Sequence, residues 1–244
     1  MILVSKSIIQ MQSKAVVAEK AANNSSKFVA LTLDFWGTLV DWMPIWEKVS
    51  SEIVKKNNLK CSAQEFALSW RRAGRWFVEK MPFLKFKDMV KKSLEEVCKT
   101  FGISASGEEQ KLFDAWKEIE PFPEVAGVLS ELKKTHKLII LSNADPDLFD
   151  VCVKKIPVDF DGMFISDETG ITKPHLDMYN AVVKFLCVPR QEILHVASSQ
   201  MDVCGATNAG MPVCWINRHN EERSPETPKP KYEISDLRGL LKIV

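Results

Sequence analysis

Four places along this chain carry side chains that could do carboxylate chemistry together. Asp34 closes the apolar run FVALTLD and is followed one helical turn later by Thr38. Ser142 and Asn143 close KLIILSN, Lys173 follows GMFIS, and Asp202 follows ILHVA. An ionised, buried aspartate can attack an electrophilic carbon and form an ester, which water then cleaves. Two carboxylates about 4 Å apart repel by about 4 kcal/mol at an effective dielectric near 20. Lys173 is the group expected to offset that repulsion and keep both acids charged. Singly, each residue also has a plain structural use: a turn aspartate, a helix entry, a solvated lysine, an N-cap. Falling at successive strand ends of one sheet, they are expected to form a site.

The elements that must bring them together are legible as short apolar runs, at 28–34, 137–143, 162–166, 193–197 and 212–217. Runs apolar almost throughout read as strands of a parallel sheet covered on both faces. Helical text separates the later runs, as in PEVAGVLSELKKTH, PDLFDVCVKKI and HLDMYNAVVKFLCV. Alternation of this kind predicts an α/β fold, a doubly wound Rossmann-like parallel sheet with right-handed crossovers. Residues 41–120 break the pattern with amphipathic segments such as PIWEKVSSEIVKKNN, so an inserted α-helical cap domain is expected there. The core domain is then 28–40 with 121–244. Ligands of open α/β sheets bind at the carboxyl edge of the strands, which places Asp34 beneath the cap. Residues 1–27 read as a flexible N-terminal extension.

Composition excludes several classes. Lysine plus arginine (33) nearly balances aspartate plus glutamate (32) over 244 residues, a net charge of +1. No concentrated positive excess marks a nucleic-acid or anionic-membrane partner, and no apolar run reaches the roughly 20 residues that span a bilayer. Six irregularly spaced cysteines without a C-x-x-C pair read as reduced thiols in a cytoplasmic protein. No His/Cys grouping has zinc-ligand spacing. His195, inside ILHVA, reads as a satisfied strand histidine, and His175 as a helix-start residue. Among Trp42, Trp46, Trp70, Trp76 and Phe77, most are expected to be cap packing.

DFWGT, LSN, TKPHLDMY and SSQMD–GATNAGM resemble, in order, the four motifs of the haloacid dehalogenase-like hydrolases, from about residue 28 to 217. CWINR and the pair Trp70-Arg71 are similar to the L-2-haloacid dehalogenase branch. The resemblance implies a metal-independent hydrolase of carbon–halide bonds that needs no cofactor. Such an enzyme would convert small 2-haloalkanoic acids to 2-hydroxy acids with inversion, through an aspartyl ester expected on Asp34. It further implies that Thr38 bonds the nucleophile and that Asp202 or its surroundings activate water. Ser142 would hold the substrate carboxylate, Asn143 would face the leaving halide, and Arg71 would reach either from the cap. Trp36, Tyr179, Ser198 and Ser199 complete the expected substrate contacts, and a homodimer is the expected assembly.

Within this resemblance, Trp36 sets the chain apart from the superfamily's phosphatases, which place a second aspartate there as general acid. A halide leaves without a proton, and an apolar wall suits it. Ala197-Ser198-Ser199-Gln200-Met201 also lacks the extra acid that helps hold Mg²⁺, a cation that wants oxygen ligands. Where the dehalogenase branch offers serine and asparagine in this motif, Ala197 and Ser199 stand here. Three rivals stay open at this level: displacement of another leaving group beside a carboxylate, an atypical phosphatase, and a non-catalytic interaction protein.

Overall fold

The computed structural model describes residues 27–81 and 83–244. The expected N-terminal extension therefore lies, but for Lys27, outside the described residues. Six strands form one sheet in the order β5-β4-β1-β6-β7-β8. They are β1 (Ala30–Leu33), β4 (Lys137–Ser142), β5 (Gly162–Ile165), β6 (Ile193–Ala197), β7 (Val213–Ile216) and β8 (Tyr232–Ile234). Every pairing in it is parallel. β8 has no counterpart among the expected strands, because YEI is a short, half-polar edge strand.

Alternate residues of these runs go to opposite faces, and each face has its own core. Leu31, Leu33, Leu138, Ile140, Leu194 and Val196 pack on one side. Ala30, Ile139, Leu141, Ile193, Val213 and Trp215 pack on the other. Complete burial of a Leu or Ile side chain stabilises by about 1.5–3 kcal/mol, so these strands are fixed in register from both sides. Helix α5 (Val125–Leu132) and α6 (Pro146–Val153) contribute to the first core, α8 (Leu176–Leu186) and α9 (Gln200–Asn208) to the second. A one-turn helix, α7 (Ser166–Thr169), follows β5.

Helices α1 (Met43–Lys56), α2 (Ala63–Lys80), α3 (Phe86–Thr100) and α4 (Glu108–Ala115) fill the stretch between β1 and α5. A two-residue antiparallel pair, β2 (Val40–Asp41) with β3 (Glu120–Pro121), joins the two ends of that stretch. Ser62 starts α2 with a reciprocal capping box to Glu65, which satisfies amide donors that have no partner within the helix. The Phe86 N–H, at the start of α3, donates to both oxygens of Asp167 at 3.1 and 3.2 Å, which ties α3 to the segment after β5. No described helix is long and apolar enough to cross a membrane.

Candidate active site

Chain direction reverses its progress across the sheet at β1, with β4 and β5 on one side and β6, β7 and β8 on the other. A crevice at the carboxyl ends of strands beside such a switch point is the usual ligand site of this architecture. Asp34 leaves β1, Ser142 ends β4 and Ser198 follows β6, so three adjacent strands deliver three polar residues to one edge.

The turn after Asp34 depends on Gly37, whose φ is +81°. A Cβ there would stand 3.1 Å from Ser198 Oγ and 3.2 Å from Trp42 Nε1. Left-handed backbone with close neighbours is a place for glycine. The turn folds Thr38 back so that its hydroxyl donates to Asp34 Oδ2 at 2.7 Å and accepts the Ser198 N–H at 2.9 Å.

Lys173 lies between the acids. Its Nζ donates to Asp34 Oδ1 at 2.8 Å and to Asp202 Oδ2 at 2.6 Å. Burial works to lower the lysine's pKa, and the charges of Asp202 and Asp34 outweigh it, so the value is raised. For Asp202, burial works upward, yet Lys173 and His195 hold the carboxyl well below the usual range. Tyr179 donates to Asp202 Oδ1 at 2.6 Å. Burial and then the Asp202 charge push its phenol far above the ordinary value, so it stays a donor.

The other expected site residues differ in what they bond. Ser142 Oγ is buried and has no partner among the described residues. Asn143 was expected to face a departing halide. Its amide instead clamps Lys173, with Oδ1 accepting the Lys173 N–H at 2.8 Å and Nδ2 donating to the Lys173 carbonyl at 2.9 Å. Ser199, expected at the substrate, is exposed and caps α9 by accepting the Asp202 N–H at 3.3 Å. Trp36 donates its indole N–H to the Asn143 carbonyl at 3.0 Å and packs edge-on against Trp116. From α2, the Arg71 guanidinium lies 5.0 Å over the Trp42 ring. Its value is pulled down by burial and up by Glu221 and Glu47.

Two further residues, one beside Asp202 and one on the Thr38 turn, were not foreseen as part of the site. His195 is fully buried on β6, its Nε2 3.1 Å from Asp202 Oδ1 but off the line of an ideal hydrogen bond. A charged-capable ring inside ILHVA was the available signal. Arg218, just beyond β7, donates to the Thr38 carbonyl at 2.8 Å.

The donor set does not suit the divalent ion used elsewhere among such folds. Both acids are already bonded to one ammonium, and no group of three or more His, Cys, Asp or Glu among the described residues could hold a metal. Hard cations want several oxygen ligands. Three buried cysteines are also poor nucleophile candidates: burial pushes Cys98 and Cys152 up to about 11 and Cys214 to about 12.

A doubly wound sheet with an acid after its first strand, and a lysine and second acid after later ones, defines a class of aspartate-centred hydrolases. Residues 28–210 match the haloacid dehalogenase-like hydrolase family, and the chain belongs to it. An (S)-2-haloacid dehalogenase of Pseudomonas sp. (strain YL) is 27% identical over 87% of this chain and 93% of its own. An L-2-haloacid dehalogenase structure from Xanthobacter autotrophicus, with chloropropionic acid covalently bound, superposes with a TM-score of 0.74 at 22% identity. It covers 88% of this chain and 98% of that one. A magnesium-bound hydrolase of Bacillus subtilis gives 0.72 at 22% identity, covering 88% and 98%. At such identities the structural likenesses establish the fold.

Proposed function

We propose that the protein is a metal-independent 2-haloacid dehalogenase of (S)-specific type, converting small 2-haloalkanoic acids to 2-hydroxy acids. The observation that carries this is Lys173 held against both Asp34 and Asp202, with Trp36 where a phosphatase would need an acid. Asp34 attacks the carbon bearing the halogen; the new carbon–oxygen bond forms as the carbon–halogen bond breaks, and halide leaves with the electron pair. Displacement occurs once at that carbon, so its configuration inverts. Water then adds to the Asp34 carbonyl carbon, and the bond from that carbon to the ester oxygen breaks. One proton and the 2-hydroxy acid are released, and Asp34 keeps the oxygen from water.

Charge supports an anionic, singly charged substrate. Asp34, Asp202 and a substrate carboxylate carry three negative charges, against which Lys173 and Arg71 set two positive ones. Unpartnered Ser142 Oγ suits the substrate carboxylate. Arg71 offers the bidentate fork that a carboxylate takes best. Thr38 and Lys173 aim the nucleophile, and Asp202 orients the water. Asn143 acts by holding Lys173 in place. The proposal includes a homodimer in the cytoplasm, with Leu68 and Trp76 of α2 offering exposed apolar surface at 41% and 54% exposure.

The test is halide release from each enantiomer of 2-chloropropionate in the presence of EDTA, with Asp34→Ala as control. Release from the (S) enantiomer, undiminished by EDTA and abolished in the variant, is expected. EDTA-sensitive phosphate release from phosphate esters, without halide release, would replace this function with a phosphatase.

A further inference from the structure

Four contacts run in sequence from Thr32 on the strand of the nucleophile back to Asp34. Thr32 lies two residues before Asp34 on β1 and stands directly opposite His195 in the β1–β6 register. Thr32 Oγ1 is 2.9 Å from His195 Nδ1, and His195 Nε2 is 3.1 Å from Asp202 Oδ1. Asp202 Oδ2 takes the Lys173 ammonium at 2.6 Å, which returns to Asp34 at 2.8 Å. The ring of Tyr179 stands edge-on to the imidazole with centroids 5.5 Å apart, and its hydroxyl shares Asp202 Oδ1. His195 and Thr32 are both completely buried, and a buried polar side chain costs stability unless it is partnered. An apolar residue at 195 would match the rest of ILHVA. The polar ring is set instead where its two nitrogens span the strand of the nucleophile and the second acid.

We propose that His195 is a positioning residue whose Nε2–H steers Oδ1 of Asp202, an assignment that rests on the ester pathway described above. The Thr32 hydroxyl both donates and accepts, so it can supply the proton that Nδ1 accepts in this tautomer. The demand for His195 differs between the two chemical steps. While Asp34 is ionised, Lys173 is shared between two carboxylates. Once Asp34 is an ester it carries no charge, and Asp202 is the carboxylate left facing Lys173. Asp202 is then held by Lys173 at Oδ2 and by Tyr179 and His195 at Oδ1, and the aim of Oδ1 sets where the attacking water is polarised. His195 therefore serves ester hydrolysis more than halide displacement.

The experiment compares wild type, His195→Phe and His195→Gln in single-turnover and steady-state reactions with (S)-2-chloropropionate, reading halide release and the mass of acid-quenched protein. His195→Phe should release its first equivalent of halide within about twofold of the wild-type rate, yet turn over about tenfold to a hundredfold more slowly. A covalent adduct on Asp34 should accumulate in that variant. His195→Gln, which restores an N–H, should recover much of the loss. Normal turnover in His195→Phe without adduct, or equal slowing of both steps, would overturn the inference while leaving the dehalogenase intact. Should wild type release no halide, the proposed activity fails, and ¹⁵N NMR of the wild-type imidazoles still decides the role of His195. A protonated Nε2 whose shift moves in Asp202→Asn supports it; a bare Nε2, or one indifferent to Asp202, removes it.

Discussion

Arg218 holds the carbonyl of Thr38 at 2.8 Å, joining the far end of β7 to the turn that aims the nucleophile. The same guanidinium pairs with Glu124 at 2.7 Å and lies 3.6 Å over the Phe122 ring, with side chains only 9% and 11% exposed in the ion pair. Removing one partner of a buried pair leaves the other charge uncompensated, at a cost of about 3–5 kcal/mol. Arg218→Ala should lower stability by about 3 kcal/mol, read as a shift in the urea midpoint. Turnover should fall with it, because the Thr38 turn loses its anchor. Arg218→Lys should fall between the two, since a lysine cannot fork to Glu124 and Thr38 at once.

Close approach explains Gly205. A Cβ at that position would sit 2.3 Å from Tyr179 Oη and 2.8 Å from the Pro174 Cβ. Gly205→Ala must therefore push the tyrosine away from Asp202. Overpacking of this kind costs about 1–3 kcal/mol, and denaturant unfolding should register it. Turnover should drop further than in Tyr179→Phe, which removes the hydroxyl but leaves the backbone undisturbed. An alanine variant with wild-type stability and rate would contradict the packing.

Trp36 and Asn143 form a relay toward Lys173. The indole N–H satisfies the Asn143 carbonyl at 3.0 Å, and the Asn143 amide then clamps the Lys173 backbone. Trp36→Phe keeps an aromatic wall and removes one donor, so stability should fall by about 1 kcal/mol. Turnover should suffer more than substrate affinity, which a kcat against KM comparison will show.

Acid stability depends on Asp161 as well as on the site. Burial works to raise its carboxyl, but hydrogen bonds from Lys133, Lys137 and the Leu138 N–H more than offset this, so the folded value is lowered. A depressed folded value means its stabilisation is complete above the unfolded value of about 3.9 and is lost as pH falls through the folded one. Asp161→Asn should therefore be less stable than wild type at neutral pH. The gap in urea midpoints should narrow as pH drops below the unfolded value.

The sheet and its chemistry were legible where residue type and position agree. Asp34, Ser142 and Asp202 follow apolar runs, and a parallel sheet leaves its strand ends on one edge, so their meeting could be read from the chain. What each polar side chain bonds could not. Asn143 and Ser199 have the right types in the right motifs, yet the first is engaged by the Lys173 backbone and the second by the start of α9. Such local bonds depend on backbone direction at the strand ends, which periodicity does not encode. His195 was legible only as a strand residue, because the register that sets it opposite Thr32, and the helix that carries Asp202 to its other nitrogen, are tertiary facts. β8, three residues long, offered no periodicity to read.

Covalent attack by Asp34 on carbon is the central claim, and oxygen-18 follows it directly. A single turnover of excess enzyme with (S)-2-chloropropionate in ¹⁸O-labelled water, followed by peptide mass spectrometry, should find the label in the Asp34 side chain. The 2-hydroxy acid from that first turnover should carry unlabelled oxygen. Label in the product, with Asp34 unlabelled, would mean that water attacks the substrate carbon itself and would contradict the mechanism.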